Sequence, residues 1–415
     1  MNGSVRLGRY LDDGTQECHY DIPNSSNFNI GLVGMSGAGK TYTIIQLINA
    51  YARMESDVGP VTTFVFDLQG DLGDIEGIPQ NKIHNFKFAY SQGNGSINPL
   101  RVDPLGGVFI AVRNFTETAK MFNHSLGTRQ VADLNLILNE LYADFGFDKD
   151  DSKTWKNPSP NLLSLLDYVE SLIMEVKSGV KQDVYVSASD MLGSTGLYEA
   201  DINTKEGQAE LADFGQRILD LVKARKTGKR KVEWNESRLE SLKHTIVNMK
   251  DSGLFSGDDV EPQIGMVNRF DLVDLQVKDM LTVIHLLLDR IFNYVQRRKW
   301  PFHPKVPRMM IVLDEGKLAK AISKHDLSPL NRIGTEARKY GLGAVLGVQS
   351  PDQITDDVRR NCALFMIYPI HPSEYSQAKT KYGLEANQIK RLKAKSDALV
   401  YMNTGVFRPV KLFGE

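Results

Sequence analysis

Short unbroken apolar runs alternate along this chain with stretches whose apolar positions recur every three or four residues. That alternation predicts buried parallel strands joined by helices. Ile30, Leu32 and Val33 form one run, and Ile44, Ile45, Leu47, Ile48 and Tyr51 the helix face after it. Gly59-Pro60 breaks the chain, and Val61-Thr-Thr-Phe-Val-Phe66 supplies a second strand that ends in Asp67-Leu-Gln-Gly-Asp71. Phe86-Lys-Phe-Ala-Tyr90 is a third, followed by a glycine-rich turn and Ile97-Asn-Pro-Leu100.

From 102 to 259 the pattern becomes helical, as in Val131–Tyr142 and Leu162–Ile173, with polar breaks at 148–160 and 187–203. Strands resume at Gln263–Asn268 and Phe270–Leu275, and a helix with a strongly apolar face runs from Val277 to Arg298, where Trp300-Pro301 and Pro304 end it. Met309–Leu313 is then apolar without interruption up to Asp314-Glu315. A helix over Leu327–Tyr340 stops at Gly341, and further strands are expected at Gly343–Gln349, Cys362–Tyr368, Ala398–Tyr401 and Phe407–Leu412. The expected fold is α/β: a mostly parallel sheet in two parts, 28–101 and 260–415, interrupted by an α-helical insertion over 102–259. Residues 1–27 add one or two short strands and turns.

Composition narrows the class. The 415 residues are 41% hydrophobic and 24% charged, ordinary for a globular chain of one large or two medium domains. The net charge of −1 argues against a wholly basic surface, so any DNA contact is local. The densest basic run, Lys223–Lys231, fits either a phosphate track or a solvated helix end. Cys18 and Cys362 are far apart and lack a metal-ligand spacing. No apolar signal core is visible at the N-terminus, and no run approaches the roughly 18 apolar residues of a membrane span. A soluble, cytoplasmic protein is expected.

The chemistry begins at Gly34-Met-Ser-Gly-Ala-Gly-Lys-Thr41, which fills the phosphate-loop pattern G-x-x-x-x-G-K-[ST] between a strand and a helix. A triphosphate needs backbone N–H groups converging on its oxygens, and small residues let the chain curl that tightly. Lys40 adds a point charge at the β/γ-phosphates, and the Thr41 hydroxyl suits Mg²⁺. The candidate nucleotide contacts are therefore Gly34, Ser36, Gly37, Ala38, Gly39, Lys40, Thr41 and Tyr42.

Carboxylates at the carboxyl ends of strands face the ligand crevice in open α/β sheets. Asp67 reads equally as a group near the γ-phosphate or as a turn cap. Asp314 suits support of Mg²⁺ through water, and Glu315 suits polarisation of the attacking water. Gln349 ends its strand in a polar amide, as a γ-phosphate sensor would. Arg332, Arg338 and Lys339 lie outside the apolar stripe of their helix. Arg359 and Arg360 either reach a neighbour's nucleotide or make surface ion pairs. Lys317, Lys320 and Lys324 are candidate phosphate contacts for nucleic acid.

Taken in order, the phosphate loop, Asp67-x-x-Gly-Asp71, Ile97-Asn-Pro-Leu100, Ser252-Gly-Leu-Phe255, Leu313-Asp-Glu315 and Glu336-Ala-Arg-Lys-Tyr-Gly341 leading to Gly347-Val-Gln-Ser-Pro351 resemble the HerA/FtsK-type hexameric DNA motors, the HerA branch in particular. The resemblance implies a RecA-like sheet with an inserted helical bundle, and ATP with Mg²⁺ between the subunits of a hexamer whose pore holds duplex DNA. It implies Glu315 as activator of water, Asp314 as metal support, Arg338 as the arginine supplied in trans, and Gln349 as sensor. Gly316-Lys317 departs from the family's usual Ala followed by His or an aromatic. The residues before the phosphate loop are too few for the N-terminal β-barrel of archaeal relatives, so a short form is expected. Short HerA-like chains occur in anti-phage systems, where the motor binds a nuclease or NADase. The implied function is a ring-forming DNA translocase working with a separate effector. A conjugation or genome-packaging ATPase and an ATP-gated scaffold for a partner enzyme are the alternatives.

Overall fold

The computed structural model describes residues 3–73, 75–104, 106–123, 125–178, 234–255, 259–314, 329–402 and 405–412. It divides into two compact units, Met1–Ala89 with Glu261–Glu415, and Tyr90–Val260.

The first unit is built on an 11-stranded sheet. In chain order its strands are β1 (Ser4–Tyr10), β2 (Glu17–Asp21), β3 (Asn29–Val33), β6 (Thr62–Asp67), β7 (Ile83–Lys87), β8 (Val267–Asp271), β9 (Met309–Asp314), β10 (Leu342–Val348), β11 (Cys362–Ile367), β12 (Asp397–Met402) and β13 (Arg408–Leu412). Two-residue strands β4 (Glu55–Ser56) and β5 (Gly59–Pro60) form a separate hairpin. The spatial order is β2-β1-β13-β12-β11-β3-β10-β9-β6-β8-β7. From β11 to β7 all neighbours run parallel, and from β11 to β2 all run antiparallel.

Burial follows from that division. Every residue of β3, β6, β10 and β11 is buried, the mark of parallel strands covered on both faces. At the antiparallel edge β2 alternates between buried and exposed positions. The strands expected at Phe86–Tyr90 and at Gln263–Asn268 with Phe270–Leu275 resolve into β7 and the single β8. Beyond β8 the Leu272 N–H bonds to the Asp67 carbonyl (2.9 Å), and a turn closed by the Leu275 N–H on Leu272 O (3.1 Å) then takes the chain out of the ladder.

Helix α1 (Lys40–Tyr51) buries Ile44, Leu47, Ile48 and Tyr51 in one core with Ile30 and Leu32 of β3 and Val312 of β9. The helix read over Leu327–Tyr340 is described from Pro329. It runs as an α-helix to Glu336 and tightens into a 3₁₀ turn over Ala337–Tyr340, which Gly341 ends at φ 82°. The terminal turn of a helix commonly winds this way, and a left-handed glycine closes it.

The second unit contains, among the described residues, helices α2 (Gly107–Phe122), α3 (Thr128–Asp144), α4 (Leu162–Ser178) and α5 (Glu236–Asp251). Its first residue is Tyr90, ahead of the expected boundary after 101. The reason is that Ile97-Asn-Pro-Leu100 is bonded within the helical unit. The Ile97 N–H donates to Leu254 O (3.0 Å), the Asn98 amide to Pro160 O (3.0 Å), and the buried Tyr142 hydroxyl to Leu100 O (2.8 Å). Leu254 and Phe255 of the Ser252-Gly-Leu-Phe255 turn are buried there as well. The polar break at 187–203 and the basic run Lys223–Lys231 lie outside the described residues.

A buried guanidinium pins the amino end of β9. Arg308, 1% exposed, donates through Nε to Asp57 (2.7 Å), through Nη1 to Tyr340 O (3.1 Å) and through Nη2 to Pro301 O (2.7 Å). A second Arg308–Asp57 bond makes the pair bidentate, the strong form of this interaction. Breaking a fully buried ion pair costs roughly 3–5 kcal/mol, and the half-exposed Asp57 end reduces that. Asp57→Asn is therefore expected to lower unfolding stability by about 2 kcal/mol in denaturant titrations at pH 7. Hydrogen bonding to Arg308 holds the Asp57 carboxyl below the usual aspartate range. A depressed carboxyl stabilises the fold above its unfolded pKa of about 3.9, and that part is lost as pH falls through the folded value. The wild-type advantage over Asp57→Asn should accordingly shrink on acidification below about pH 4.

Candidate nucleotide site

The site is assembled where four neighbouring parallel strands end. At the end of β3 the Gly34 N–H bonds to Val348 O of β10 (3.0 Å) and the Met35 N–H to Pro369 O (2.9 Å). The loop then curls through Gly37 (φ 72°) and Gly39 (φ 109°), left-handed conformations that favour glycine, into α1. No side chain caps α1 and its first turn holds no acidic residue, so its N–H groups face the loop's concavity.

Lys40 is buried and donates to the carbonyls of Gly34 (2.8 Å) and Met35 (3.2 Å), so its ammonium is held over the loop. The Thr41 hydroxyl bonds to an Asp314 carboxylate oxygen (3.0 Å), uniting the loop with the end of β9. Mg²⁺ characteristically takes one or two protein oxygens and keeps several waters, and this hydroxyl and carboxylate suit such a centre. Behind the loop, Tyr368 donates to Thr43 Oγ1 (2.7 Å). Burial pushes its phenol well above the usual tyrosine range, so it remains a donor.

Gln349 follows the last residue of β10, between the loop and Asp314. Gln353 Oε1 accepts from the backbone N–H groups of Gln349 (2.8 Å) and Ser350 (3.1 Å), fixing the turn that carries the amide. Gly347 is paired with Asp314 in the ladder, and a Cβ there would overlap the carboxylate. Gly347→Ala is therefore expected to displace Asp314 from Thr41 and lower Mg²⁺-dependent turnover by about 10²-fold with the fold retained; steady-state hydrolysis against Mg²⁺ concentration, beside circular dichroism, checks it.

Asp67 ends β6 at the same edge of the sheet, yet its carboxylate is engaged elsewhere. One oxygen accepts from Arg269 Nε (3.0 Å) and Nη2 (2.6 Å), and the other caps the Gly70 N–H (2.8 Å). Of the two readings from sequence, this is the turn-capping arrangement, strengthened by a buried ion pair. Glu315, Lys317, Lys320 and Lys324 lie outside the described residues.

Arg338 is exposed on the 3₁₀ turn that precedes β10, at the end of the strand opposite Gln349. Seven strand residues span about 20 Å, beyond the reach of an arginine side chain. Arg359 and Arg360 likewise precede β11, in the short helix Asp356–Arg360. Arg359 is held by Asp356 (3.3 Å) and lies over the Tyr382 ring (5.6 Å). The structure thus gathers Gly34–Thr41, Asp314 and Gln349 and sets the three arginines apart from them.

Several contributors escaped the sequence reading. Arg269 had one signal, a charged residue inside the apolar strand Val267-Asn-Arg-Phe-Asp271, which calls for a buried carboxylate. Gln353 and Tyr368 gave none.

A glycine loop between strand and helix, with a strand-end aspartate on its threonine, defines a RecA-like P-loop ATPase. Within that class the model of the "Helicase HerA, central domain" family matches residues 5–291, and the chain belongs to that family. Among solved structures it is similar to VirB4 of Thermoanaerobacter pseudethanolicus, with a TM-score of 0.61 and 17% identity over 99% of this chain and 96% of that one. It is also similar to the bacterial conjugative coupling protein TrwBΔN70 (TM-score 0.51, 13% identity, 93% of this chain and 85% of that one). Plasmid coupling protein TrwB in complex with ADP and Mg²⁺ gives a TM-score of 0.51 at 13% identity, over 99% of this chain and 94% of that one. At such identities the likeness concerns the fold. No curated protein sequence matches. Among the described residues no helix is long and apolar enough to cross a membrane, and no group of three or more His, Cys, Asp or Glu side chains could hold a metal ion.

Proposed function

We propose that this chain hydrolyses ATP with Mg²⁺ as one subunit of a ring, a hexamer by family resemblance, that translocates on duplex DNA alongside a separate nuclease or other effector. The observation that carries the reading is the polarity of β10. One end bears Gln349 beside the phosphate loop and Asp314, and the other bears the exposed Arg338. A phosphate loop, aspartate and amide gathered at one end of a strand, with an exposed arginine presented at the other, are suited to completion by a neighbour. Lys40 and Thr41 would hold the nucleotide, Asp314 would support the metal through water, and Glu315 would activate the attacking water.

Steady-state hydrolysis by the purified protein, with and without long duplex DNA, tests this beside Glu315→Gln and a light-scattering mass. DNA-stimulated turnover in a ring-sized species, lost in the variant, supports the motor. Turnover indifferent to DNA, or absent until another protein is added, replaces it with an ATP-gated scaffold. A conjugation ATPase is the second reading, suggested by the likeness in fold to the bacterial conjugative coupling protein TrwBΔN70.

A further inference from the structure

The turn before β12 is fastened to the phosphate loop. The Lys395 N–H donates to Ala38 O (3.0 Å), and a Cβ on Gly39 would lie 3.3 Å from Lys395 Cα. A side chain at Gly39 would crowd this turn against the loop. The turn is rigidly made: the buried Asp397 accepts from the Lys393 N–H (3.0 Å) and the Ser396 hydroxyl (2.6 Å), and Leu412 of β13 donates to Ser396 O (2.7 Å).

Within it Lys395 holds φ 61°, a left-handed conformation that a side chain disfavours and glycine adopts freely. Its side chain is exposed and, among the described residues, makes no hydrogen bond or ion pair. The turn therefore places an exposed lysine, its backbone against the loop, at a conformational cost that glycine would avoid. Strain of this kind concentrates where a side chain is needed for a ligand.

We propose that Lys395 is a further nucleotide-binding residue, its ammonium contacting the phosphates of the nucleotide held by the loop. The assignment rests on the loop being an ATP site and adds a cation that the G-x-x-x-x-G-K-[ST] pattern does not contain. Lys390, Arg391 and Lys393 precede it and are also exposed, but Lys395 is the one whose backbone touches the loop.

The test is calorimetric titration of the full chain with Mg²⁺-ADP and with a non-hydrolysable ATP analogue, together with the melting temperature without nucleotide. Lys395→Met keeps the backbone strain and removes the charge; Lys395→Gly removes both; Lys395→Arg keeps the charge. Loss of one hydrogen bond to a charged group corresponds to about tenfold or more in affinity. Expected are about tenfold weaker binding for the Met and Gly variants, near wild-type binding for Arg, and no lowering of the melting temperature for Gly. Wild-type affinity in Lys395→Met overturns the assignment, whatever Lys395→Gly does to stability. Loss of duplex-DNA binding in Lys395→Met with nucleotide affinity intact also overturns it, assigning the cation to nucleic acid. A wild-type chain that binds neither nucleotide overturns the ATP reading of the loop itself, and this assignment with it.

Discussion

Subunits carrying Arg338→Ala and subunits carrying Lys40→Ala are each expected to be inactive alone and to recover ATP turnover when mixed. The first variant retains an intact phosphate loop and the second an intact arginine, so a mixed ring contains some junctions with both. Arg338 is exposed and separated from its own Gln349 by the length of β10, so no rearrangement short of dismantling that strand brings it to its own loop. Removal of an arginine acting in trans on a transferring phosphoryl group costs roughly 10³-fold or more in rate. Arg338→Ala alone should therefore bind ATP and turn over about 10³-fold slower. Mixing experiments followed by steady-state hydrolysis decide the matter. A mixture as inactive as its components removes Arg338 from the neighbour's site and leaves Arg360 as the next candidate, since Arg359 is held by Asp356.

The other large effect belongs to Lys40. Its ammonium is buried and bonded to the carbonyls of Gly34 and Met35, poised where phosphate oxygens would converge. Lys40→Ala is expected to lower kcat by at least about 10²-fold, the scale for loss of one preorganised group at a centre of developing charge. The melting temperature without nucleotide should move little. The carbonyls it releases belong to a loop whose Met35, Ser36 and Gly37 already face water. Turnover within tenfold of wild type would show that the loop holds no reacting phosphate.

These effects rest on residues whose legibility in the sequence differed for physical reasons. The loop carrying Lys40 and Thr41 was legible because its geometry is local: one strand, one tight loop and one helix start supply the whole of it. Asp314 was legible because the buried β9 has a one-sided signal, an unbroken apolar run stopped by two acids. Asp67 looked the same from its own surroundings, and its engagement is set by Arg269, 202 residues away in sequence. No pattern within one segment carries that partner. The limit of the helical unit was misplaced because Ile97 and Leu100 are apolar in either setting, and only their bonds to Leu254 and Tyr142 assign them. Lys395 was hidden for another reason, since a single residue's left-handed backbone leaves no trace in hydropathy.

The position of β3 bears finally on how the chain reaches this structure. β3 lies between β10 and β11, and the Asn29 side-chain Oδ1 that receives the Ala344 N–H is 315 residues distant in sequence from its donor. Closing so long a loop must precede any reward from the pairing, which makes such contacts slow to form. During synthesis the phosphate loop emerges early, but its flanking strands are made only after the helical unit and β9. The nucleotide site is therefore among the last parts of the molecule to mature, and a nascent or truncated chain would display the phosphate-loop sequence without the capacity to bind.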